Sequence, residues 1–204
     1  MGFYGDQVLP RLTDLTLGRP MEPVRARVAE GLEGEVLELG FGSGRNVPHL
    51  PGEVTRLLAV EPARVGIQLA SRRIAKAPFP VDFIGENGEQ LALPDASVDH
   101  ALVTFTLCTI PDVERALDEV NRVLRPGGTL HFVEHGRSPR PRVARWQDRL
   151  TPVWGRLVGG CHLNRQIDEL IEKSGLSLRS IDRGGIGYSG LASYLYQGVA
   201  EKPR

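Results

Sequence analysis

From residue 35 onwards, short apolar runs alternate with longer segments in which apolar residues recur every three or four positions. The short runs have the length of buried β-strands, and the longer periodicity is that of helices that bury one face. Strands that alternate with helices predict a parallel sheet covered by helices on both faces. The strands are expected at 36–39, 57–60, 81–84, 98–105 and 129–133, and helices at about 63–75 and 111–124.

The two ends of the chain depart from this alternation. Residues 1–32 contain helical pieces broken at Pro10 and at 18–20, and Pro23 lies near a helix start, where its missing N–H costs little. Residues 136–163 are rich in Arg, Pro, Gly and Trp and are expected to cover the edge of the sheet.

The C-terminal part predicts a helix at about 165–174 and strands near 176–181 and 193–199. Two strands without a full helix between them predict an antiparallel addition to the sheet. The predicted fold class is α/β: a doubly wound, mostly parallel, seven-stranded Rossmann-like sheet with an antiparallel last strand and an N-terminal helical cap. One domain, 1–204, would comprise a helical cap (1–32), a core (33–135), a lid or substrate insertion (136–163) and a C-terminal helix with strands (164–204).

Composition matters mainly for what it excludes. Lys and Arg together number 25, as do Asp and Glu, so no global field draws the chain to nucleic acid or to an anionic membrane. Cys108 and Cys161 have neither a zinc spacing nor a disulfide framework, so no metal is predicted and a reducing compartment is expected. The sequence has no secretory signal and no apolar run of the roughly 20 residues that span a bilayer. We expect a cytoplasmic protein that at most touches a membrane surface.

Candidate chemistry begins directly after the first strand. Gly40, Gly42 and Gly44 stand at alternate positions, where the backbone can turn sharply and approach a ligand, although a tight strand-to-helix connection would use the same residues. A dinucleotide fingerprint needs its third glycine at position 45, which is Arg45, so the spacing disfavours a pyrophosphate-binding dehydrogenase. Glu38, a charge in an otherwise apolar strand, is costly to bury alone and should meet a polar partner.

A second acidic residue ends the next strand. Open α/β sheets bind ligands at the carboxyl ends of their strands, and the two oxygens of Glu61 can accept from both hydroxyls of a ribose. The alternative is that Glu61 caps the helix that begins at Pro62. We favour the ribose role because the glycine turn and Glu61 converge on one edge of the sheet.

Four segments occur in the order and at the distances of the motifs of class I S-adenosylmethionine-dependent methyltransferases. The sequence resembles this family, within its type 11 group, over about residues 35–135. The segments are 38–44, 61–62, 91–99 and 123–128.

The resemblance implies which residues hold the two polar parts of the cofactor S-adenosylmethionine. Glu38 and the turn formed by Gly40, Gly42 and Gly44 would hold its amino acid part. Glu61, followed by Pro62, would hold its ribose.

The resemblance also implies the contacts of the base and the methyl group. Glu86 would lie by the adenine amino group, where many relatives have Asp, and Asn87 beside the ring. Thr104 and Leu107, after the fourth strand, would line the cofactor and open toward the methyl acceptor. S-adenosylhomocysteine would be the product.

The chain beyond the fifth strand is similar to animal methyltransferase-like enzymes that methylate alkyl thiols. The similarity lies in 132–135, 146–148, Trp154 and 160–165. Those enzymes carry an N-terminal membrane anchor, which we do not find in this sequence. A thiol acceptor must become a thiolate, which a nearby base or positive field favours.

Two histidines are candidates for activating such an acceptor. His135 follows the fifth strand at its carboxyl end, and His162 lies in 160–164. The alternative for each is a hydrogen-bonded loop histidine. Cys161 is expected to be a small packed residue, and Cys108 part of the core or of a pocket wall.

The segment 137–157 combines arginines with tryptophans. Its arginines form either a solvated surface or a docking strip for an acidic substrate or lipid headgroups. An apolar helical face, interrupted by Pro152, is expected to pack on the sheet as a lid whose outer edge forms a substrate channel. Tryptophans flanked by arginines would also suit a membrane surface. The arginines are 137, 140, 142, 145 and 149, and the apolar face consists of Trp146, Leu150, Trp154 and Leu157.

The predicted function is therefore an S-adenosylmethionine-dependent methyltransferase for a small-molecule or lipid-like acceptor, with a thiol as the first candidate. Alternative acceptors are an amine or a phospholipid headgroup. A non-catalytic S-adenosylmethionine-binding protein is a further alternative, and a nicotinamide-dependent dehydrogenase a third. Zero net charge argues against nucleic acid as a partner.

Overall fold

The centre of the molecule is a seven-stranded sheet. The computed structural model describes residues 8–185 and 194–204. The strands are β1 (Gly34–Leu39), β2 (Val54–Val60), β3 (Val81–Gly85), β4 (Val98–Thr104), β5 (Leu124–His135), β6 (Ser177–Gly185) and β7 (Tyr194–Glu201). Their order is β3-β2-β1-β4-β5-β7-β6, in which β7 pairs antiparallel with both neighbours and the pairs among β1 to β5 are parallel. The predicted fold class is confirmed.

Helices cover the sheet. Pro10 lies in the first turn of the first helix, so it begins that helix rather than breaking it, and Pro23 begins the second as predicted. None of the helices within the described stretches is long and apolar enough to cross a membrane. The helices are α1 (Leu9–Thr16), α2 (Glu22–Ala29), α3 (Arg64–Ile74), α4 (Val113–Val123), α5 (Pro141–Leu157) and α6 (Ile167–Lys173).

Two hydrophobic clusters hold these helices on opposite faces of the sheet. Because successive strand residues point to opposite faces, Val36 of β1 joins one cluster and Leu37 the other. The cluster of Val36 includes side chains of α2 and α3, such as Val28 and Ala70. The cluster of Leu37 includes side chains of α4 and α6. The sheet is therefore buried on both sides, as its nearly continuous apolar strands require.

The topology sets where a ligand can bind. β1 lies between β2 and β4, so the chain leaves β1 toward one side of the sheet and returns to its other side through β4. In open α/β sheets this switch point forms a crevice outside the carboxyl ends of the strands.

The predicted start of the fifth strand is wrong. The strand was expected at 129–133, but β5 already begins at Leu124, directly after α4. Val98 pairs with Leu124 and His100 with Thr129, so the strand accommodates the extra residues in an irregularity.

The predicted packing of the Trp-rich helical face is also wrong. α5 continues through Pro152 for 17 residues, and Trp146 and Leu157 are 55% and 58% exposed. The helix instead buries Gln147, whose amide accepts from the N–H of Ser138 at 2.8 Å and donates to the carbonyl of Gly136 at 3.0 Å. Satisfying these buried backbone groups orients α5 with its apolar face outward.

Two predicted regions extend beyond what is described. Residues 1–7 of the expected cap lie outside the described residues, and so does Ser193 at the expected start of the last strand.

Candidate active site

A cavity of about 570 Å³ opens at the carboxyl ends of β1, β2 and β4. Its volume is in the range of small-molecule and cofactor sites. Helix α1 and the start of α2 cover it from one side, and the loop after α5 reaches it from another. The lining comprises Pro10, Thr13, Asp14, Leu17, Arg25, 39–43, Arg45, 60–63, Gly66, 86–89, 104–106, 109–111 and Gly159.

The glycine turn after β1 forms one wall of the cavity. Gly40 has a φ of +76°, and a Cβ there would lie 2.1 Å from the hydroxyl oxygen of Thr106. Gly42 has a φ of +57° and open space where a side chain would stand. Both positions therefore require glycine, the first for close packing and the second for a left-handed backbone beside open space.

Glu61 lies at the end of β2 and joins two walls of the cavity. Its Oε2 accepts from the N–H of Gly42 at 2.6 Å, and its Oε1 from the N–H of Ala63 at 2.7 Å. Burial raises the pKa of Glu61, and the two backbone donors oppose that rise. Ala63 is the N-cap residue of α3, so Glu61 also satisfies a backbone donor at the start of that helix, and the capping alternative stays open beside the ribose role.

Glu38 lies deeper than Glu61 and is 1% exposed. Its Oε1 accepts from the side-chain amide of Asn46 at 2.7 Å, which is the polar partner that the sequence demanded. Its Oε2 has no hydrogen-bond partner within the described residues. Burial raises the pKa of Glu38 to about 8, although Asn46 and the nearby charge of Arg25 oppose the shift.

Arg25 connects the N-terminal part of the chain to this buried group. Its guanidinium donates at 2.8 Å both to the side-chain oxygen of Asn46 and to the hydroxyl of Thr104. It also stacks on the ring of Phe105, which has the unusual φ of +55° directly after β4. A bulky residue in this backbone region is strained, and such strain is common beside functional sites.

Helix α1 is tied to the glycine turn by charge. Arg45 donates to both carboxylate oxygens of Asp14 at 2.8 Å, and Ser43 donates to the same carboxylate. Arg45 also contacts Glu22 at 3.2 Å. Arg45, the residue whose position argued against a dinucleotide fingerprint, therefore holds α1 in place over the cavity.

The loop after β4 is fixed by a second buried acid, Glu134. Its Oε1 accepts from the N–H of Thr106 at 2.6 Å and of Leu107 at 2.9 Å. Burial raises the pKa of Glu134 to about 7 against these donors. The loop that carries Thr106 and Thr109 into the cavity wall is thus held from behind.

Behind this loop lies a buried cluster of Cys108, His135 and Cys161. The Nε2 of His135 is 3.0 Å from the sulfur of Cys161, which also accepts from the indole N–H of Trp154 at 3.2 Å. Hydrogen bonds from Cys108 and His135 lower the pKa of the Cys161 thiol, and the same contact with Cys161 together with burial raises that of Cys108. Burial disfavours charge on His135, but the hydrogen bond and charge of Cys161 together with the charge of Glu134 raise its pKa.

Only some of the predicted site residues line the cavity. Within the described residues, the cavity lining includes Gly40, Gly42, Glu61, Pro62, Glu86, Asn87 and Thr104. It does not include Glu38, Gly44, Leu107, His135 or His162. The ring Nδ1 of His162 is 3.3 Å from the carbonyl oxygen of Cys108, so His162 adjoins the cysteine cluster.

Several lining residues were not predicted from the sequence, among them three charged ones. Asp14, Arg25 and Arg45 are ordinary charged residues of amphipathic or loop segments, and no motif marks them. An arginine between Val24 and Val28 in α2 is a weak signal of a buried charge, but it does not say which partner it meets.

Residues 37–132 match the family model of the methyltransferase domain. The chain therefore carries a methyltransferase domain over these residues, which is the class indicated by the four sequence motifs.

Two curated relatives make the comparison more particular. The chain is 36% identical to the thiol S-methyltransferase TMT1B of Rattus norvegicus over 157 residues, which are 72% of this chain and 63% of that protein. It is 35% identical to the thiol S-methyltransferase TMT1A of Homo sapiens over 148 residues, 70% of this chain and 59% of that protein. The chain thus spans about three fifths of the length of these relatives.

A solved structure shows the same fold. The N-methyltransferase NodS of Bradyrhizobium japonicum, in complex with S-adenosylhomocysteine, superposes with a TM-score of 0.70 at 16% identity. The alignment covers 95% of this chain and 91% of that one.

Proposed function

We propose that the chain binds S-adenosylmethionine in the cavity and transfers its methyl group to a small-molecule acceptor, with an alkyl thiol as the first candidate. One observation carries the proposal: the carboxylate of Glu61 is held by the backbone of Gly42 at the switch point of a sheet that belongs to the methyltransferase family. The similarity to thiol S-methyltransferases supports the choice of acceptor.

The polar groups of the cavity fit this cofactor. S-adenosylmethionine is cationic at sulfur and zwitterionic in its amino acid part, so its site needs acids and backbone donors. Glu38 offers a buried carboxylate oxygen that lacks a partner within the described residues. Gly42 leaves open space in the cavity wall. When bound, the cofactor supplies an activated methyl group and leaves as S-adenosylhomocysteine.

Glu38 and Glu61 contact different polar parts of the cofactor. Glu38 and the turn of Gly40, Gly42 and Gly44 hold the amino acid part, and Gly44 acts by keeping the turn against Phe41 and Ala70. Glu61, with Pro62 beside it, accepts from the ribose hydroxyls.

The remaining contacts lie at the ends of β3 and β4. Glu86 and Asn87 follow β3 in the lining and bind the adenine. Thr104 and Leu107 shape the path toward the acceptor, Thr104 from the lining itself and Leu107 by holding the loop through Glu134.

The acceptor enters from the side of 109–111 and Gly159. Because methyl transfer is an in-line displacement, the wall there mainly aligns the acceptor and excludes water. His135 and His162 favour the thiolate form of the acceptor, His162 from the loop that begins at Gly159 and His135 through its contact with Cys161 in the same loop.

The proposal is tested by methyl transfer from labelled S-adenosylmethionine to alkyl thiols, primary amines and phospholipids, with calorimetry of cofactor binding alongside. We expect a methylated thiol. We expect His135→Ala and His162→Ala to lower turnover at nearly unchanged cofactor affinity. A product only with amines or phospholipids would replace the thiol assignment, and cofactor binding without any product would leave a non-catalytic binding protein.

We propose that the protein is cytoplasmic and makes peripheral contact with membranes. The exposed face of α5 supports it, since Trp146 and Leu157 lie outside and the guanidinium of Arg149 is stacked on Trp146, 5.8 Å from its centroid. Aromatic and apolar side chains mixed with arginines suit the interfacial layer of a bilayer. Such contact would deliver acceptors that partition into lipid.

A further inference from the structure

The cluster behind the cavity has the composition and the spacing of a metal site. The sulfur atoms of Cys108 and Cys161 and one ring nitrogen of His135 all lie within 4.8 Å of one another, and all three residues are buried. We propose that these three side chains bind one Zn²⁺ ion. The proposal is independent of the methyl acceptor.

The fold brings the three ligands from distant segments. Cys108 stands in the loop after β4, His135 ends β5, and Cys161 follows α5. After α5 the chain reverses through Gly159 and Gly160, which have φ of +57° and +88°. Because the ligands are so far apart in sequence, no zinc spacing was visible there.

Hydrogen bonds outside the cluster hold the reversed loop in place. The N–H of Gly160 donates to the carbonyl of Gly155 at 2.7 Å, and the N–H of His162 to the carbonyl of Cys108 at 2.7 Å. The second bond joins the two cysteine-bearing loops directly. The relative position of Cys108 and Cys161 is therefore set by the backbone and not by the sulfur contact alone.

The distances suit a tetrahedral ion after a small adjustment. Zinc bonds near 2.3 Å to sulfur and 2.0 Å to nitrogen place tetrahedral ligand atoms roughly 3.5 Å apart. The Nε2 of His135 and the sulfur of Cys161 are 3.0 Å apart, and every pair in the cluster is within 4.8 Å. Thiolate and imidazole are the ligands that Zn²⁺ prefers over the oxygen ligands of Mg²⁺ or Ca²⁺.

The surroundings also suit a bound cation. Trp154 donates its indole N–H to the sulfur of Cys161, as groups around metal thiolates commonly do. Two thiolates balance the charge of one Zn²⁺, so the occupied site adds no net charge to the interior. The buried Nδ1 of His135 and Oε2 of Glu134 lack partners within the described residues, which marks this region as polar beyond what the described side chains satisfy.

The test is the metal content of the full chain, purified without chelator and with thiols kept reduced, followed by exchange for Co²⁺. We expect about one zinc ion per chain, and in the cobalt form both visible d–d bands and a near-ultraviolet sulfur-to-cobalt band. Cys108→Ser, Cys161→Ser and His135→Gln should each lower bound metal at least about tenfold. His162→Gln is the matched control, because it changes an imidazole next to Cys161 that lies outside the set, and it should keep the metal.

Several outcomes would overturn the site. The first is that the wild-type chain contains no zinc and also shows no sulfur-to-cobalt band on titration with Co²⁺. The second is that the cysteine variants bind as much metal as the wild type. The third is that His162→Gln loses the metal. A protein whose two cysteines react with a thiol reagent only after reduction would instead contain a disulfide. If a variant fails to fold, cobalt titration of the wild-type chain in competition with a chelator of known affinity still shows whether the site binds metal. Neither the metal content nor the cobalt spectrum depends on methyl transfer, so failure of the zinc site can be distinguished from failure of the proposed function.

Discussion

Two buried glutamates show what single residues contribute to the cavity. Both were marked by the sequence, Glu38 as a charge inside an apolar strand and Glu61 as an acid at a strand end. The sequence could not reveal that Asn46 and Arg25 meet Glu38 and Thr104 there, because these partners come from segments without a motif. The acidic residues and their places on the strands could be predicted from the sequence. Their hydrogen-bond partners could be identified only from the folded structure.

Replacing Glu61 by Ala should weaken S-adenosylmethionine binding. The change removes a charged acceptor for the ribose and for the N–H groups of Gly42 and Ala63. We expect a loss of about 1.5–3 kcal/mol, roughly 10- to 150-fold in Kd, by isothermal calorimetry. Glu53→Ala, an exposed glutamate before β2, is the control and should bind normally. Unchanged affinity in a folded Glu61→Ala protein would remove Glu61 from the ribose contact.

Glu38 should make stability fall as the pH rises. Burial raises its pKa from 4.5 to about 8, so between these values the folded protein holds a proton that the unfolded chain releases. The free energy of unfolding therefore decreases with pH in this window. Glu38→Gln keeps an oxygen for Asn46 but cannot ionise, and chemical denaturation from pH 5 to 8 should show that the wild-type chain loses stability relative to this variant. Parallel pH profiles would contradict the assignment.

At the scale of elements, the strands were easier to predict than the orientation of the helices. The apolar runs located β1, β2, β4 and the second half of β5 because buried parallel strands are largely apolar. The Trp-rich face of α5 misled because an apolar helical stripe predicts burial, whereas Gln147 satisfies buried backbone groups and takes the inner position. Gln147 and Ala144 take the buried positions of α5, whereas Trp146, Trp154 and Leu157 are exposed.

That exposed face of α5 makes a measurable prediction. Leu157→Ala should weaken binding to anionic lipid vesicles by about 2 kcal/mol, because about three carbon atoms no longer leave water. Sedimentation with vesicles of phosphatidylglycerol and phosphatidylcholine measures the bound fraction. Leu69→Ala is the matched control, since Leu69 is also partly exposed but lies on α3. Equal binding of both variants and wild type would show that α5 does not touch the bilayer.

At the scale of the whole molecule, cofactor binding should couple to global stability. The cavity is built from the N-terminal helices, the carboxyl ends of three strands and the loop after α5. Saturation with S-adenosylmethionine at a hundred times its Kd should stabilise the fold by about 2.7 kcal/mol, or roughly 5–10 °C in Tm. Scanning fluorimetry measures the shift, and NADH serves as the control ligand. A shift with NADH alone would revive the dehydrogenase alternative.

The place of β7 has a consequence for how the chain is made. β7 is the last strand in the sequence, yet it lies between β5 and β6. During synthesis on the ribosome, β5 and β6 therefore emerge before the strand that joins them, and an unpaired edge of β5 waits in the open. Such edges invite association with other chains. The nascent protein can complete its sheet only after translation has passed residue 201, so this edge of β5 needs protection until β7 has been made.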